Sequence, residues 1–525
     1  MQTTETFPIT RALISVSDKS GLESLLATLA KFNVEIISTG GTEEFIRNAG
    51  YKVKNISELT GFPEIMDGRV KTLHPSVHGA FLFKRDVEEH RKQANDNNIV
   101  AIDLLVLNLY PFEATITKEN VSHEEIIENI DIGGPAMLRS AGKNYESVAL
   151  LTSPTQYAGF IEELESHKGA TSHEIRLRLA SEAFAHVAHY DMIIARYFEK
   201  ISPRSEQRLL IDEPEVASLR YGENPHQTAS VYGKDIPVLY EQLWGKELSY
   251  NNYLDASASL HIISEFLDSP KAVTGIIKHT NPCGIAEGKD VVHAFELAFA
   301  TDTESPFGGI IVTNQEFTEA LALRVNEFFS EVILAPSYSE GALTVLKKKK
   351  DRRLIRYDRT LLKKSIDTNE VRSIAGGILV QDTDTQLMTH PEPTHVTSMP
   401  ATKEQYEGLL FAWKVCKHVK SNAMVYVRND DGFARTVGIG CGQTSRVASS
   451  RLAVAGALRF GHSLTGSLVA SDAFFPFADG LLEAADAGAV AVIQPGGSVR
   501  DEEVITAAEE KKIALYMTGM RHFKH

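Results

Sequence analysis

Cysteine is nearly absent. The 525 residues hold three, Cys283, Cys416 and Cys441, with no close pair among them. That excludes a disulfide framework and points to a reducing compartment. Tryptophan is scarcer still, with two residues. No apolar run reaches the roughly 18 residues that a membrane span requires. The start, Met1 to Thr10, lacks a basic region followed by a long apolar stretch, so no secretory signal is read there. We expect a cytoplasmic chain with no membrane partner. Positive charge is also in deficit. The net charge of −15 argues against nucleic-acid binding, although local basic pockets for small anions stay compatible with it. What remains is ordinary globular composition, 43% hydrophobic and 23% charged, with length for two to four domains.

Metal and dinucleotide signatures are missing too. Pro282-Cys283 begins the P-C-x-x-C motif of zinc deaminases, but position 286 is Ala. His123-Glu124-Glu125 matches H-x-E formally, yet it falls on a helix in another domain. The zinc constellation is therefore absent. His186 and His189 form H-x-x-H in a helical segment, where a surface or docking role outweighs metal binding. Gly438 to Gly442 spaces G-x-G-x-G without the third glycine of a dinucleotide fingerprint. We read it as a loop. No Walker A loop occurs. Lys347 to Arg353 reads as a solvated basic face.

The first 200 residues alternate strands and helices. Ala12 to Val16 reads as a strand. Ser17-Asp18-Lys19-Ser20-Gly21 then leads into a helix with Leu22, Leu25, Leu26, Leu29 and Phe32 at helical spacing. Val34 to Ile37 is a second strand, followed by Ser38-Thr39-Gly40-Gly41-Thr42 and another helix. Twice, a small polar loop aims N–H groups and hydroxyls at the positive end of a helix dipole, which suits phosphate. Plain N-capping uses the same residue types. Two such loops, with Lys19 beside the first, favour phosphate. Asp67 to Pro75 adds Arg69, Lys71 and His74, bracketed by Gly68 and Pro75 as a binding loop would be. Ile102 to Leu107 is a buried strand that delivers Asn108, Tyr110 and Pro111 to its end. A helix over 121–130 leads to Asp131-Ile132-Gly133-Gly134-Pro135, with Lys143 and Asn144 beyond. The alternation implies an α/β fold, a parallel sheet wound on both faces, with the polar groups at one edge. A long helix over 174–200 and the polar stretch Ser202 to Gln207 close this domain. We place domains at 1–200 and 201–525, the second split near 380–402.

In the second part, Ala272 to Ile277 reads as a buried strand ending in Lys278-His279. Asn281-Pro282 and Gly284 read as the turn that follows. A neutral His accepts a proton at neutral pH, and a neighbouring ammonium keeps it neutral. Arg220-Tyr221-Gly222, Ser305 to Gly309, Lys420 to Ala423, Gly438 to Arg446, Ser471 to Asp479, Gln494 to Ser498 and the tail from Arg521 read as further loops. Each half is expected to fold around its own core.

Ser15 to Lys19, Gly68 to Pro75, Arg220-Tyr221-Gly222, Lys278-His279, Gly440 to Arg446 and Ser471 to Phe477 occur in one order along the whole chain. In this the chain closely resembles the bifunctional purine-biosynthesis family that joins IMP cyclohydrolase to AICAR transformylase. The resemblance implies a methylglyoxal-synthase-like doubly wound domain. Two cytidine-deaminase-like halves without zinc would follow it. It implies 10-formyltetrahydrofolate as cosubstrate, AICAR and FAICAR as substrates, no transition metal, a monovalent-cation effect and a homodimer. For formyl transfer it implies His279 as base, Lys278 as the group stabilising the oxyanion or protonating the leaving folate nitrogen, and Asn422 orienting the formyl oxygen. Arg220, Tyr221, Arg446 and Arg521 would contact nucleotide. Phe307, Gly308, Phe474, Asp479 and Ser498 would contact substrate and folate. For ring closure it implies phosphate on Ser15, Ser17, Lys19, Thr39, Gly40, Gly41 and Thr42. Lys71, helped by Arg69 and Thr72, would polarise the formyl oxygen, and Tyr110, Asp131 and Lys143 would position the amide and shuttle protons. Thr39 stands where the family often has Ser, and Glu331 where it often has Asp.

Two other readings stay open from the residues alone. The first domain could be a ligand-sensing regulatory module, and the second part a nucleoside deaminase. Lys71, Tyr110 and Asp131 together oppose the first, and the missing zinc ligands oppose the second.

Overall fold

The computed structural model describes residues 6–66, 69–203, 208–366 and 368–525. The expectations placed on Asp67, Gly68 and residues 204–207 lie outside these. The chain divides into two compact units, Met1–Asp212 and Glu213–His525.

In the first unit five strands form a sheet. They are β1 (Arg11–Ser15), β2 (Glu35–Ser38), β3 (Lys54–Asn55), β4 (Leu104–Leu107) and β5 (Ala149–Leu151). Their order is β3-β2-β1-β4-β5, every neighbour parallel. The inner strand β4 is Leu-Leu-Val-Leu and wholly buried, as a strand covered on both faces must be. Around it lie α1 (Leu22–Lys31), α2 (Gly40–Asn48), α3 (Pro75–Leu82), α4 (Gly133–Lys143), α5 (Tyr157–Ser166) and α6 (His173–Ile201). Helix α1 buries Leu22, Leu25, Leu26 and Leu29, the apolar stripe read from its spacing. The helix expected over 121–130 is shorter, His123–Glu128, because the Ser122 side chain caps it by accepting from Glu125 N–H. Residues beyond α6 return along it. Arg196 donates to the Leu210 carbonyl at 2.5 Å, and His189 Nδ1 meets Asp212 Oδ2 at 2.5 Å. Among the described residues no group of three His, Cys, Asp or Glu side chains could hold a metal. No helix there is long and apolar enough to cross a membrane.

The second unit opens with a separate hairpin, β6 (Glu215–Leu219) and β7 (Ala229–Tyr232). Its main body is one twelve-stranded sheet. The first half supplies β8 (Glu241–Trp244), α7 (Tyr250–Ser264), β9 (Ala272–Lys278), β10 (Asn281–Gly288), α8 (Val291–Thr301), β11 (Ile310–Thr313), α9 (Glu319–Val325), β12 (Val332–Ala335), α10 (Glu340–Leu346) and β13 (Arg353–Arg356). An exposed hairpin, β14 (Asn369–Ile374) and β15 (Gly377–Asp382), follows. The second half supplies β16 (Thr394–His395), α11 (Lys403–Cys416), β17 (Met424–Asp430), β18 (Phe433–Gly440), α12 (Arg446–Arg459), β19 (Ser467–Ser471), α13 (Asp479–Asp486), β20 (Ala489–Gln494), α14 (Asp501–Lys511) and β21 (Ala514–Met517). The sheet order is β8-β13-β12-β11-β9-β10-β18-β17-β19-β20-β21-β16. Read outward from the middle, both halves repeat one pattern: an antiparallel hairpin, then three parallel strands joined by helices.

The halves do not keep separate cores. They join where β10 pairs with β18, Ala286 opposite Arg435. The join is sealed by buried Thr436, whose hydroxyl accepts from Ile285 N–H and donates to the Ile285 carbonyl. On one face Leu260 of α7, Ile277, Leu409 and Trp413 of α11, and Val425 pack into a single cluster. Only the other face carries one cluster per half. The continuous sheet is the reason: a shared sheet gives both halves a common apolar face to cover.

Candidate active sites

The first unit has a cavity of about 650 Å³ at the ends of β1, β2 and β4. Its lining includes Ser15, Ser17, Lys19, Thr39, Gly41, Thr42, Arg69, Lys71, Thr72, Tyr110 and Asp131, all expected from sequence. The loops after β1 and β2 are tied together. Ser15 and Thr39 hydroxyls lie 3.0 Å apart, and Thr42 Oγ1 both accepts from Val16 N–H and donates to the Val16 carbonyl. Gly40 has φ +46°, and a Cβ there would come within 3.8 Å of Lys71 Nζ. Lys71 thus stands over the second loop. Across from it Asp131 accepts from Gly134 N–H at 2.8 Å. Burial pushes its carboxyl up, against the Gly134 and Tyr110 N–H groups and the Lys71 charge, which pull it down. Arg69 is ion-paired with Glu128. The glycines at the start of α4 permit this crowding. A Cβ on Gly133 would fall 2.4 Å from Thr72 Oγ1, and one on Gly134 2.4 Å from Asp131 Oδ2. Lys143 is not brought to the cavity. It is the exposed last residue of α4, whose first residues line the wall. Asn108, expected at the end of β4, lines the cavity as well; the sequence placed it there without giving it a role.

In the second unit the turn after β9 is not where Asn281-Pro282-Gly284 suggests. His279 and Thr280 form the tip of the β9–β10 hairpin, at φ 51° and 62°, and Asn281 already belongs to β10. Pro282 is accommodated at a register shift next to Ile277, where a ladder bond is lost anyway. Left-handed φ at a β-branched Thr is a strained conformation. The Asp255 carboxylate holds it, accepting from His279 N–H at 3.2 Å and Thr280 N–H at 2.7 Å. Strain held this firmly clusters at functional positions. Lys278 Nζ donates to the Phe307 carbonyl at 2.9 Å, and Gly308 takes φ +75° beside it. Burial pushes the Cys283 thiol up to about 12, so it is no nucleophile.

Asn422 approaches the same edge. Lys420 N–H donates to Asn281 Oδ1 at 3.1 Å, and Met424 pairs with Ser471 and Gly440. The Asn422 side chain donates to the Gln443 carbonyl at 2.8 Å. Phe474, Ser498 and Arg521 follow the C-terminal ends of the adjacent parallel strands β19, β20 and β21, and Asp479 opens α13. Arg521 lies over the Phe523 ring at 4.7 Å. Arg446 is held inward: it meets buried Asp472 at 3.4 Å and donates to the Ala473 carbonyl. Burial pushes the Asp472 carboxyl up, and the Ser421 hydroxyl and Arg446 pull it back. Arg220 and Tyr221 lie just beyond β6 in its two-stranded sheet, with the guanidinium 5.6 Å over the ring. Glu331 is paired with Arg353 at 3.1 Å.

Two clusters of catalytic-type side chains, one in each unit, define a two-site α/β enzyme. A family model described as "AICARFT/IMPCHase bienzyme" matches residues 141–456, and one described as "MGS-like domain" matches residues 21–136. The bifunctional purine biosynthesis protein PurH of Chlorobium phaeobacteroides is 48% identical over 524 residues, spanning 98% of this chain and 99% of its own. PurH of Chlorobaculum parvum is 49% identical over 526 residues, and that of Chloroflexus aurantiacus 49% over 517, with the same shares covered. The chain belongs to the AICARFT/IMPCHase bienzyme family and carries its two activities, AICAR formyl transfer and IMP cyclohydrolase.

Proposed function

We propose that the first-unit cavity closes FAICAR to IMP and that the Lys278–His279 edge of the second unit forms FAICAR from AICAR and 10-formyltetrahydrofolate. In formyl transfer the AICAR amine attacks the formyl carbon and the bond from that carbon to the folate nitrogen breaks. His279 takes the amine proton. Lys278 steadies the developing oxyanion or returns a proton to the leaving nitrogen, and Asn422 orients the formyl oxygen. In ring closure the carboxamide nitrogen attacks the formyl carbon within one molecule and water leaves, so orientation supplies much of the rate. Ser15, Ser17, Lys19 and the Thr39–Thr42 loop hold the phosphate. Lys71 polarises the formyl oxygen, and Tyr110 and Asp131 handle the protons. Lys143, at the far end of α4, needs a rearrangement to take part.

The observation that carries this reading is the cavity itself: two hydroxyl-rich loops at helix starts, facing a Lys and a partly buried carboxylate. The test is a pair of separate assays on the intact chain. His279→Ala should abolish formyl transfer and leave cyclisation near normal, and Lys71→Ala should do the reverse. Equal loss of both activities in either variant would sink the two-site assignment.

We further propose that formyl transfer works in a homodimer and responds to a monovalent cation, which the same assays test by exchanging potassium for a bulky organic cation. Support for the dimer comes from the resemblance, from Arg220 and Tyr221 standing outside the main sheet, and from the exposed hairpin β14–β15. That hairpin leaves Val371, Ile374, Ile378, Leu379 and Val380 uncovered, an apolar surface suited to a partner.

A further inference from the structure

Tyr190 lies on α6, where Ala183, Val187 and Tyr190 are buried at helical spacing. Its hydroxyl sits on the turn between the helix His123–Glu128 and α4. There it accepts from Asp131 N–H at 2.8 Å and donates to the Asn129 carbonyl at 3.2 Å. Burial pushes the phenol up to about 12; the Asp131 N–H opposes this, and the Asp131 and Asp191 charges and Tyr110 add to it. The group therefore stays a neutral donor at any working pH. The ring packs edge-on against Phe112, with centroids 6.2 Å apart. Phe112 is itself buried, and its N–H donates to the Tyr110 carbonyl at 2.8 Å. Tyr190 stands behind the cavity wall rather than in it. From there it supports both segments that carry proton-handling groups, the turn of Asp131 directly and that of Tyr110 through Phe112.

The end of one helix and the start of the next leave backbone groups without helical partners. Here one side-chain oxygen answers two of them, the Asn129 carbonyl and the Asp131 N–H. The Asp131 carboxylate is tied separately, to Gly134 N–H. We propose that Tyr190 is a positioning residue for ring closure: its hydroxyl fixes the Asn129–Asp131 turn, so that the Asp131 carboxyl stays partly buried and faces Lys71. The inference rests on the ring-closure reading of this cavity and on the proton-handling role given there to Asp131. Removing the hydroxyl frees the turn but leaves the ring and its contact with Phe112. A displaced catalytic group loses rate more than it loses ground-state binding.

The test uses the full chain with Tyr190→Phe, Asp131→Asn and the double variant. Cyclisation kinetics, the pH–rate profile and IMP affinity by calorimetry are the readouts. Tyr190→Phe should lower kcat for cyclisation by roughly three- to thirtyfold, the size of one or two hydrogen bonds, with Kd for IMP within about twofold. Its acid limb should move to lower pH, toward the ordinary Asp value of 3.8, because a loosened turn admits water and removes part of what burial adds. In the Asp131→Asn background the same change should add less than about twofold, because Tyr190 acts through that carboxyl. A drop in kcat of less than about threefold, an acid limb that stays in place, or a larger drop in the Asp131→Asn background would overturn the proposal. So would IMP binding weakened in step with kcat, since Tyr190 would then only hold the core together. Failure of the ring-closure reading would appear separately, as wild-type protein that neither cyclises FAICAR nor binds IMP, or as Asp131→Asn protein of unchanged rate.

Discussion

Asp131 shows how much one side chain owes to its surroundings. Its carboxyl sits between the Gly134 and Tyr110 N–H groups and the Lys71 charge, yet burial outweighs them and pushes it up. A carboxylate above its ordinary range is better matched to proton transfer near neutrality. Asp131→Asn keeps the shape and removes the charge. It should lower cyclisation by about 10²–10⁴-fold with formyl transfer unchanged. In the wild type, cyclisation should fall on the acid side through an inflection above the usual Asp value of 3.8, and the variant's residual rate should lack that limb. A pH–rate profile measured on both proteins checks this. Residue types and flanking glycines marked Lys71, Tyr110 and Asp131 in the sequence. Lys143 took its role from the resemblance, and a helix of 11 residues carries it away from the cavity.

Among the elements, β18 explains a motif that reads differently in one dimension. Gly438 and Gly440 look like a loop but lie in the strand, under α12. A Cβ on Gly438 would fall 2.5 Å from the Ala453 carbonyl, and one on Gly440 1.8 Å from that of Ser449. The first half repeats the device in β10 under α8. There Gly284 faces the Ala298 carbonyl at 2.1 Å and Gly288 faces Ala294 N at 2.3 Å. In each half the glycines let a helix backbone settle onto the sheet. Gly440→Ala should therefore force α12 off β18 and cost about 1–3 kcal/mol or more, since backbone cannot step aside as a side chain does. A thermal melt showing no loss of stability would contradict this. Glycine spacing in a sequence cannot separate this use from a loop, because the clash depends on a helix that returns to the strand after a turn.

At the scale of the whole molecule, a buried ionic cluster ties the two halves of the second unit. Glu265 ends α7, and it meets Lys417 at 2.9 Å and His418 at 3.1 Å, just past α11. Burial pushes the Glu265 carboxyl up, but the His418 and Lys417 side chains outweigh it and hold it at about 2. Burial drops His418 to about 4. Both values lie below those of the unfolded chain, so both groups stabilise the fold at neutral pH and lose that contribution in acid. Stability should fall as pH drops from 6.5 to about 4 through His418, and from 4.5 to about 2 through Glu265. Denaturant midpoints across this range check the slope. Glu265→Gln, which leaves Lys417 uncompensated, should cost about 3–5 kcal/mol at neutral pH and flatten the lower segment. Dilution tests the proposed dimer: formyl transfer should disappear before cyclisation, and a sedimenting monomer fully active in formyl transfer would refute the shared site. The sequence by itself determined the α/β class, the parallel sheet of the first unit and most of the cavity's residues. Hydrophobic periodicity, small polar loops at helix starts and ordered motifs are all local or linear signals. Only the tertiary structure decided that the two later halves share one sheet and the core on one of its faces, that His279 and Thr280 form a strained tip held by Asp255, and that Lys143 lies at the far end of its helix from the cavity. Those outcomes depend on which strands pair and which helices return, and pairing between segments more than 100 residues apart, such as Ala286 with Arg435, leaves no mark on the residues nearby.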